Sequence, residues 1–268
     1  TTDTYFDGDP DEVHADAADV EYLCKSANFL FPEANFRAED VIATWAGLRP
    51  LIHEEADSAS DVSREHQIYV NDDGVILIAG GKLTTYRLMA KDVVKATMRW
   101  LRDSQGDIFE GRKIVRPRTK KRPLPGGVGL QDPSAKGVKR FAAVLAKEEK
   151  IDSALAEHWA FTYGTRAREL ARLVAEDPSL AELLEEGLPH TWAEIEHAIR
   201  QEHVRTVDDV LSRRVPLLLI SNNQGLDIVE RVADRMAAAL GWSDERRTAE
   251  LERYRKTVAD SRLFRASS

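Results

Sequence analysis

The chain has 268 residues, a formal net charge of −8, 43% apolar residues and 31% charged ones, which allows one large core or two ordinary ones. No run approaches the roughly 20 apolar residues of a membrane-spanning helix, and the acidic balance argues against a general nucleic-acid coat. One cysteine, Cys24, excludes internal disulfides and multi-cysteine metal sites and suits a reducing compartment.

Thr1 to Phe6 reads as extended, with no initiator Met and no secretory leader. The opening looks like the middle of a strand, so further residues are expected ahead of Thr1. Gly8-Asp9-Pro10 is a turn. Val13, Ala17, Val20, Leu23, Cys24, Ala27 and Leu30 recur at helical spacing, predicting a helix over about 11–31 that Pro32 ends. Residues 41–48 and 67–70 read as strands, and Asn71-Asp72-Asp73-Gly74 predicts a hairpin turn into a strand over 75–78. A helix follows over about 82–102, with Tyr86, Met89, Ala90, Val93, Thr97, Trp100 and Leu101 on its apolar face.

Between Gly106 and Gly129 the pattern dissolves into Gly, Pro and basic residues. Beyond it, helices are predicted near 134–149, 151–161, 164–175, 191–203, 206–213, 223–240 and 242–258. The expected class is α+β: a partial sheet with helices over 1–108, a basic Pro/Gly linker over 109–129, and an all-α C-terminal domain over 130–268.

Gly80-Gly81-Lys82-Leu83-Thr84 carries the most chemical information. Two glycines between a strand and a helix permit positive φ and close backbone approach to a ligand. The helix start directs free N–H groups and its positive dipole end to the same place, and Lys82 adds a full charge. A P-loop is excluded, because Leu83 follows Lys82 and Ile76 stands where its first Gly belongs. A glycine turn that simply caps a helix and a cofactor contact both remain open. Upstream, Arg49 follows an apolar run in Trp45-Ala46-Gly47-Leu48-Arg49-Pro50, and Arg64 lies in Ser63-Arg64-Glu65-His66. Two guanidinium groups can grip phosphate oxygens in a bidentate manner; salt-bridged surface arginines are the plainer alternative, with Glu54, Glu55 and Asp57 nearby.

Taken together, Thr1-Thr2-Asp3 with Gly8-Asp9-Pro10, Trp45 to Leu51, Ser58 to Glu65 and Gly80 to Arg87 occur in an order and spacing that resembles the flavin-dependent glycerol-3-phosphate dehydrogenases. Leu124 to Gly127, His158 to Gly164 and Glu194 to Leu211 resemble that family's C-terminal domain. The resemblance covers essentially the whole chain. It implies that Arg49 and Arg64 hold the substrate phosphate and that Gly80, Gly81, Lys82, Leu83 and Thr84 meet the pyrimidine edge of FAD. Lys82, as the catalytic candidate, would stabilise negative charge on the reduced ring and is also in reach of substrate.

The implied reaction oxidises sn-glycerol 3-phosphate to dihydroxyacetone phosphate by hydride transfer to FAD, with electrons passing to a quinone. The implied location is cytoplasmic, peripheral on the inner membrane. His53 and His66 are candidate bases, although an ordinary structural role suits each. A glycerol-3-phosphate oxidase using oxygen and a non-catalytic helical binding module are the competing readings. The family's Gly-x-Gly-x-x-Gly dinucleotide motif is absent from this sequence; Gly126-Gly127-Val128-Gly129 has the wrong spacing and follows Pro125. The isolated chain is therefore expected to bind FAD weakly and to lack turnover.

The tract from Arg112 to Arg122 is either a solvated linker or a patch attracted to anionic lipid. His197 and His203 lie six apart on one helix, unlike an i, i+4 ligand pair, so no metal is expected. Arg213-Arg214 reads as a solubilising pair rather than a nucleic-acid contact, and Trp159, Phe161 and Tyr163 as packing residues.

Overall fold

The computed structural model describes residues 2, 4–49, 65–106, 110–111 and 118–265. Arg64, His53, Pro50 and Leu51 lie outside them, as do Arg112, Lys113 and Arg116 of the basic tract. The chain divides into two compact units, one formed by Thr1–Val13 with Gly47–Pro123, the other by His14–Ala46 with Leu124–Ser268.

The first unit contains the expected hairpin. Strands β1 (Gln67–Val70) and β2 (Ile76–Ala79) pair antiparallel with Gln67 opposite Ala79. Asn71 N–H donates to Val75 O and Gly74 N–H to Asn71 O, closing the turn that the Asn-Asp-Asp-Gly sequence calls for. A 3₁₀ turn over Leu83–Thr85 leads into helix α2 (Tyr86–Gln105), which Gly106 ends at φ 71°. Among its described residues none is fully buried; Tyr86 and Val94 on α2 and Leu77 and Ile78 on β2 remain exposed.

In the second unit, helix α1 (Ala17–Leu30) is shorter than the periodicity predicts, because Asp16 sets its start. Asp19 N–H donates to the Asp16 carboxylate at 2.9 Å and Asp16 N–H to the Asp19 carboxylate at 3.2 Å, so the capping box fixes the boundary. Residues 41–48 are not a strand, contrary to the sequence reading. Their β-branched residues have no partner strand among the described residues; instead the Thr44 N–H and hydroxyl both donate to Ser261 O, at 2.9 and 3.0 Å, and Arg265 donates to Val41 O. The described residues of 1–6 likewise form no strand.

Six of the remaining helices follow the predicted order, α3 (Ala135–Glu149), α4 (Ser153–Tyr163), α5 (Ala167–Glu176), α6 (Trp192–Gln201), α8 (Val229–Leu240) and α9 (Asp244–Asp260), and a four-residue α7 (Leu217–Ile220), absent from the sequence reading, precedes α8. They enclose one core containing Leu145, Trp159, Leu170, Trp192, Ile195, Leu211, Met236 and Tyr254. Fully burying each large apolar side chain contributes about 1.5–3 kcal/mol. The helix expected over 206–213 is drawn out into a π-helical segment, Asp209–Arg214. Arg213 there bonds Asp208, and Arg214 Nε lies 3.3 Å from Glu202.

Candidate functional site

In the first unit the chain turns sharply between β2 and α2. Gly80 and Gly81 take φ of 71° and 90°, a region that residues bearing a Cβ rarely adopt. A Cβ on Gly81 would come within 2.5 Å of the Met89 side chain. The corner is then locked by Thr85, whose hydroxyl donates to Lys82 O at 2.9 Å and accepts from Lys82 N–H at 3.3 Å. Leu83, 89% exposed, stands out from this turn.

Gly80, Gly81, Lys82 and Leu83 line a concavity of about 620 Å³ whose wall includes Ile78 and Met89. The chemistry of that lining is an apolar face with one ammonium group and a helix start at its rim. Thr84 is exposed on the adjoining turn and outside the lining. Arg49, in the same unit, is exposed and also outside it, while Arg64 lies beyond the described residues. His66 sits behind the corner with Nε2 3.3 Å from Asp92 Oδ2 on α2, which gives it a structural partner.

The second unit holds a buried polar cluster that sequence reading missed. Glu194, at the first turn of α6, is fully buried. Its Oε1 lies 3.0 Å from His158 Nε2 on α4 and 3.1 Å from His190 Nδ1, and accepts from the Tyr163 hydroxyl at 3.2 Å. Its Oε2 accepts the Thr191 N–H at 2.8 Å, completing a capping box. Burial alone would raise the carboxyl, but the hydrogen bonds and charge of His158 and His190 outweigh it and hold the group at about 2. Tyr163 is pushed well above the ordinary tyrosine range, by burial first and then by the charges of Glu194 and Glu202. Only Thr191-x-x-Glu194 was legible as a local signal; His158 is 36 residues from Glu194. Tyr163 was expected to be a packing residue, and it does pack edge-on against His197.

Residues 117–247 match the C-terminal domain of alpha-glycerophosphate oxidase. Two aerobic glycerol-3-phosphate dehydrogenases, from Staphylococcus saprophyticus and Bacillus subtilis, are 34% and 33% identical over 96% and 97% of the chain. The crystal structure of the glycerol-3-phosphate dehydrogenase from Bacillus halodurans complexed with FAD superposes on 97% of the chain with a TM-score of 0.76 and 28% identity. The chain is similar to the C-terminal portion of these dehydrogenases. It spans 44% and 46% of the two curated relatives and 48% of the solved dehydrogenase. The matched C-terminal domain includes every helix from α3 to α8 and the Glu194 cluster. The diglycine corner lies ahead of it, within the stretch shared with the dehydrogenases.

Proposed function

We propose that this chain supplies the substrate-facing and flavin-facing segment, with the helical cap, of an FAD-dependent enzyme that oxidises sn-glycerol 3-phosphate to dihydroxyacetone phosphate. In this reading residues 1–108 belong to the substrate and FAD domain, although His14–Ala46 fall within the same compact unit as the helical part, 109–129 form the linker, and 130–268 form the cap. The observation that carries it is the Gly80-Gly81-Lys82 corner, where an apolar wall, a helix start and an ammonium group meet at one concavity. The relatives' names and the FAD-bound dehydrogenase supply the same chemistry from outside the chain.

The residues present fit the flavin's pyrimidine edge: Gly80 and Gly81 bring backbone to the wall of the concavity, and Ile78 and Met89 offer an apolar surface. When bound, FAD supplies a two-electron acceptor for the hydride of the secondary alcohol. Lys82 and the N-terminus of the turn leading to α2 stabilise anionic charge at that edge, most strongly once water is excluded. Lys82 also orients substrate, and Leu83, standing out from the turn, excludes water. Arg49 and Arg64 grip the phosphate and fix the alcohol carbon for reaction.

Quinone is the electron acceptor in this reading, reached by peripheral attachment at the cytoplasmic face of a membrane. No helix among the described residues is long and apolar enough to cross one. The basic residues near Arg118 and Lys120 to Arg122, all exposed, suit attraction to anionic headgroups. Transfer to oxygen is a second reading, favoured by the match of residues 117–247 to an alpha-glycerophosphate oxidase domain.

The test is a chimera in which this chain replaces the corresponding portion of the Bacillus subtilis relative, compared with the 268-residue chain alone. The chain alone is expected to purify colourless and inactive, and the chimera yellow and able to reduce a quinone analogue with sn-glycerol 3-phosphate. Peroxide formed at a comparable rate would favour the oxidase; a yellow chimera whose flavin this substrate does not bleach would refute both.

A further inference from the structure

The His158, His190 and Glu194 side chains lie outside the proposed flavin corner and have no part in its chemistry. Their three facing atoms fall within 4.8 Å of one another, with both imidazole nitrogens about 3 Å from the same carboxylate oxygen. Neighbouring ligands of a four-coordinate ion with bonds of about 2.0–2.1 Å are separated by just over 3 Å, which the two nitrogen–oxygen pairs already match, while the two imidazole nitrogens draw together from a separation of up to 4.8 Å when the ion enters. The two rings meet edge to face, with centroids 4.7 Å apart and an 87° interplanar angle, so their nitrogens converge on the oxygen instead of stacking.

Support around the cluster is that of a built site. The Thr191 N–H and the Tyr163 hydroxyl hold the Glu194 carboxylate from outside, as outer-shell partners do for metal ligands. His190 and Glu194 are buried, while His158 keeps 15% of its side chain exposed and opens the group to entering ions. Two imidazoles and one carboxylate suit zinc and its neighbours in the transition series; magnesium and calcium prefer all-oxygen sets.

We propose that His158 Nε2, His190 Nδ1 and Glu194 Oε1 bind one zinc-class divalent ion, leaving a fourth position for water or another small ligand. The ion ties α4 to the first turn of α6 and to the segment preceding it. In the metal-free protein the same three groups stay together through hydrogen bonds between the imidazoles and the carboxylate. The sequence expectation of no metal considered His197 and His203; these residues belong to a different constellation.

The full 268-residue chain, stripped with chelator, should bind one equivalent of Zn2+ in calorimetric titration. His158→Ala and His190→Ala should each weaken binding by more than about 100-fold, since loss of even an outer-shell partner weakens it 10–100-fold. Glu194 is spared in this test because it also caps α6. Should both variants fail to fold, ring-proton NMR of the wild type decides. Zn2+ must then shift the His158 and His190 signals and leave those of His14, His66 and His203 in place. No stoichiometric binding, binding unchanged in folded variants, or shifts confined to other histidines would each overturn the proposal.

Discussion

At the residue scale, His197 shows how burial sets chemistry. It is 1% exposed, and neither ring nitrogen has a hydrogen-bond partner among the described residues. The nearest carboxylates, Glu169 on α5 and Glu202 just after α6, lie 3.6 and 3.7 Å away, so they help by charge alone. Tyr163 packs against the ring from α4, Arg166 repels its charged form, and Glu194 attracts it. Burial dominates and depresses the imidazole pKa. The unfolded chain therefore takes up a proton at this residue near pH 6.5, where the folded chain does not. Its contribution is complete above that pH and is lost as the pH falls below it, until the folded-state ring itself protonates. Urea unfolding between about pH 7 and pH 5 should show a decline of at most about 1.4 kcal/mol per pH unit from this residue. His197→Leu should flatten the profile by that share; an unchanged profile would show the ring is not held neutral.

At the element scale, legibility followed whether the signal was local. The hairpin was legible because Asn-Asp-Asp-Gly encodes its own turn, and α3, α4 and α9 because their apolar stripes and N-cap residues Ser134, Asp152 and Ser243 are contiguous in sequence. Residues 41–48 misled because β-branched composition reports half-burial, and the partner that determines their path, Ser261, is 217 residues from Thr44. The Glu194 cluster was illegible for the same reason. In the candidate flavin site the diglycine corner was visible in sequence, whereas the packing of Met89 beneath it was not. Gly81→Ala combines φ of 90° with a contact of 2.5 Å. It should destabilise the first unit by about 1–3 kcal/mol in denaturant unfolding. A neutral result would mean the corner can relax without moving α2.

At the scale of the whole molecule, the two units differ in how they are stabilised. The second encloses a continuous core with both Trp159 and Trp192 buried, and the first has no fully buried side chain among its described residues. Exposed Leu77, Ile78, Leu83 and Tyr86 leave an apolar surface suited to covering by further protein. Hydrogen exchange should therefore be fast for β1, β2 and α2 in the 268-residue chain and slow for α5, α6 and α8, with at least a 100-fold difference in protection, about 2.7 kcal/mol. Equal protection in both would show that the first unit is stable by itself.

The proposed chemistry rests on cationic groups gripping a phosphorylated alcohol beside the diglycine corner. In the chimera, the direct measurement is kcat/KM for sn-glycerol 3-phosphate relative to unphosphorylated glycerol, in the parent and in Arg49→Ala, Arg64→Ala and Lys82→Ala. Each arginine variant should lose about 10–100-fold of that preference, the equivalent of one charge-assisted hydrogen bond. Lys82→Ala should lower kcat with both substrates. Arginine variants that retain the parent's preference, with Lys82→Ala turning over at the parent's rate, would contradict the assignment.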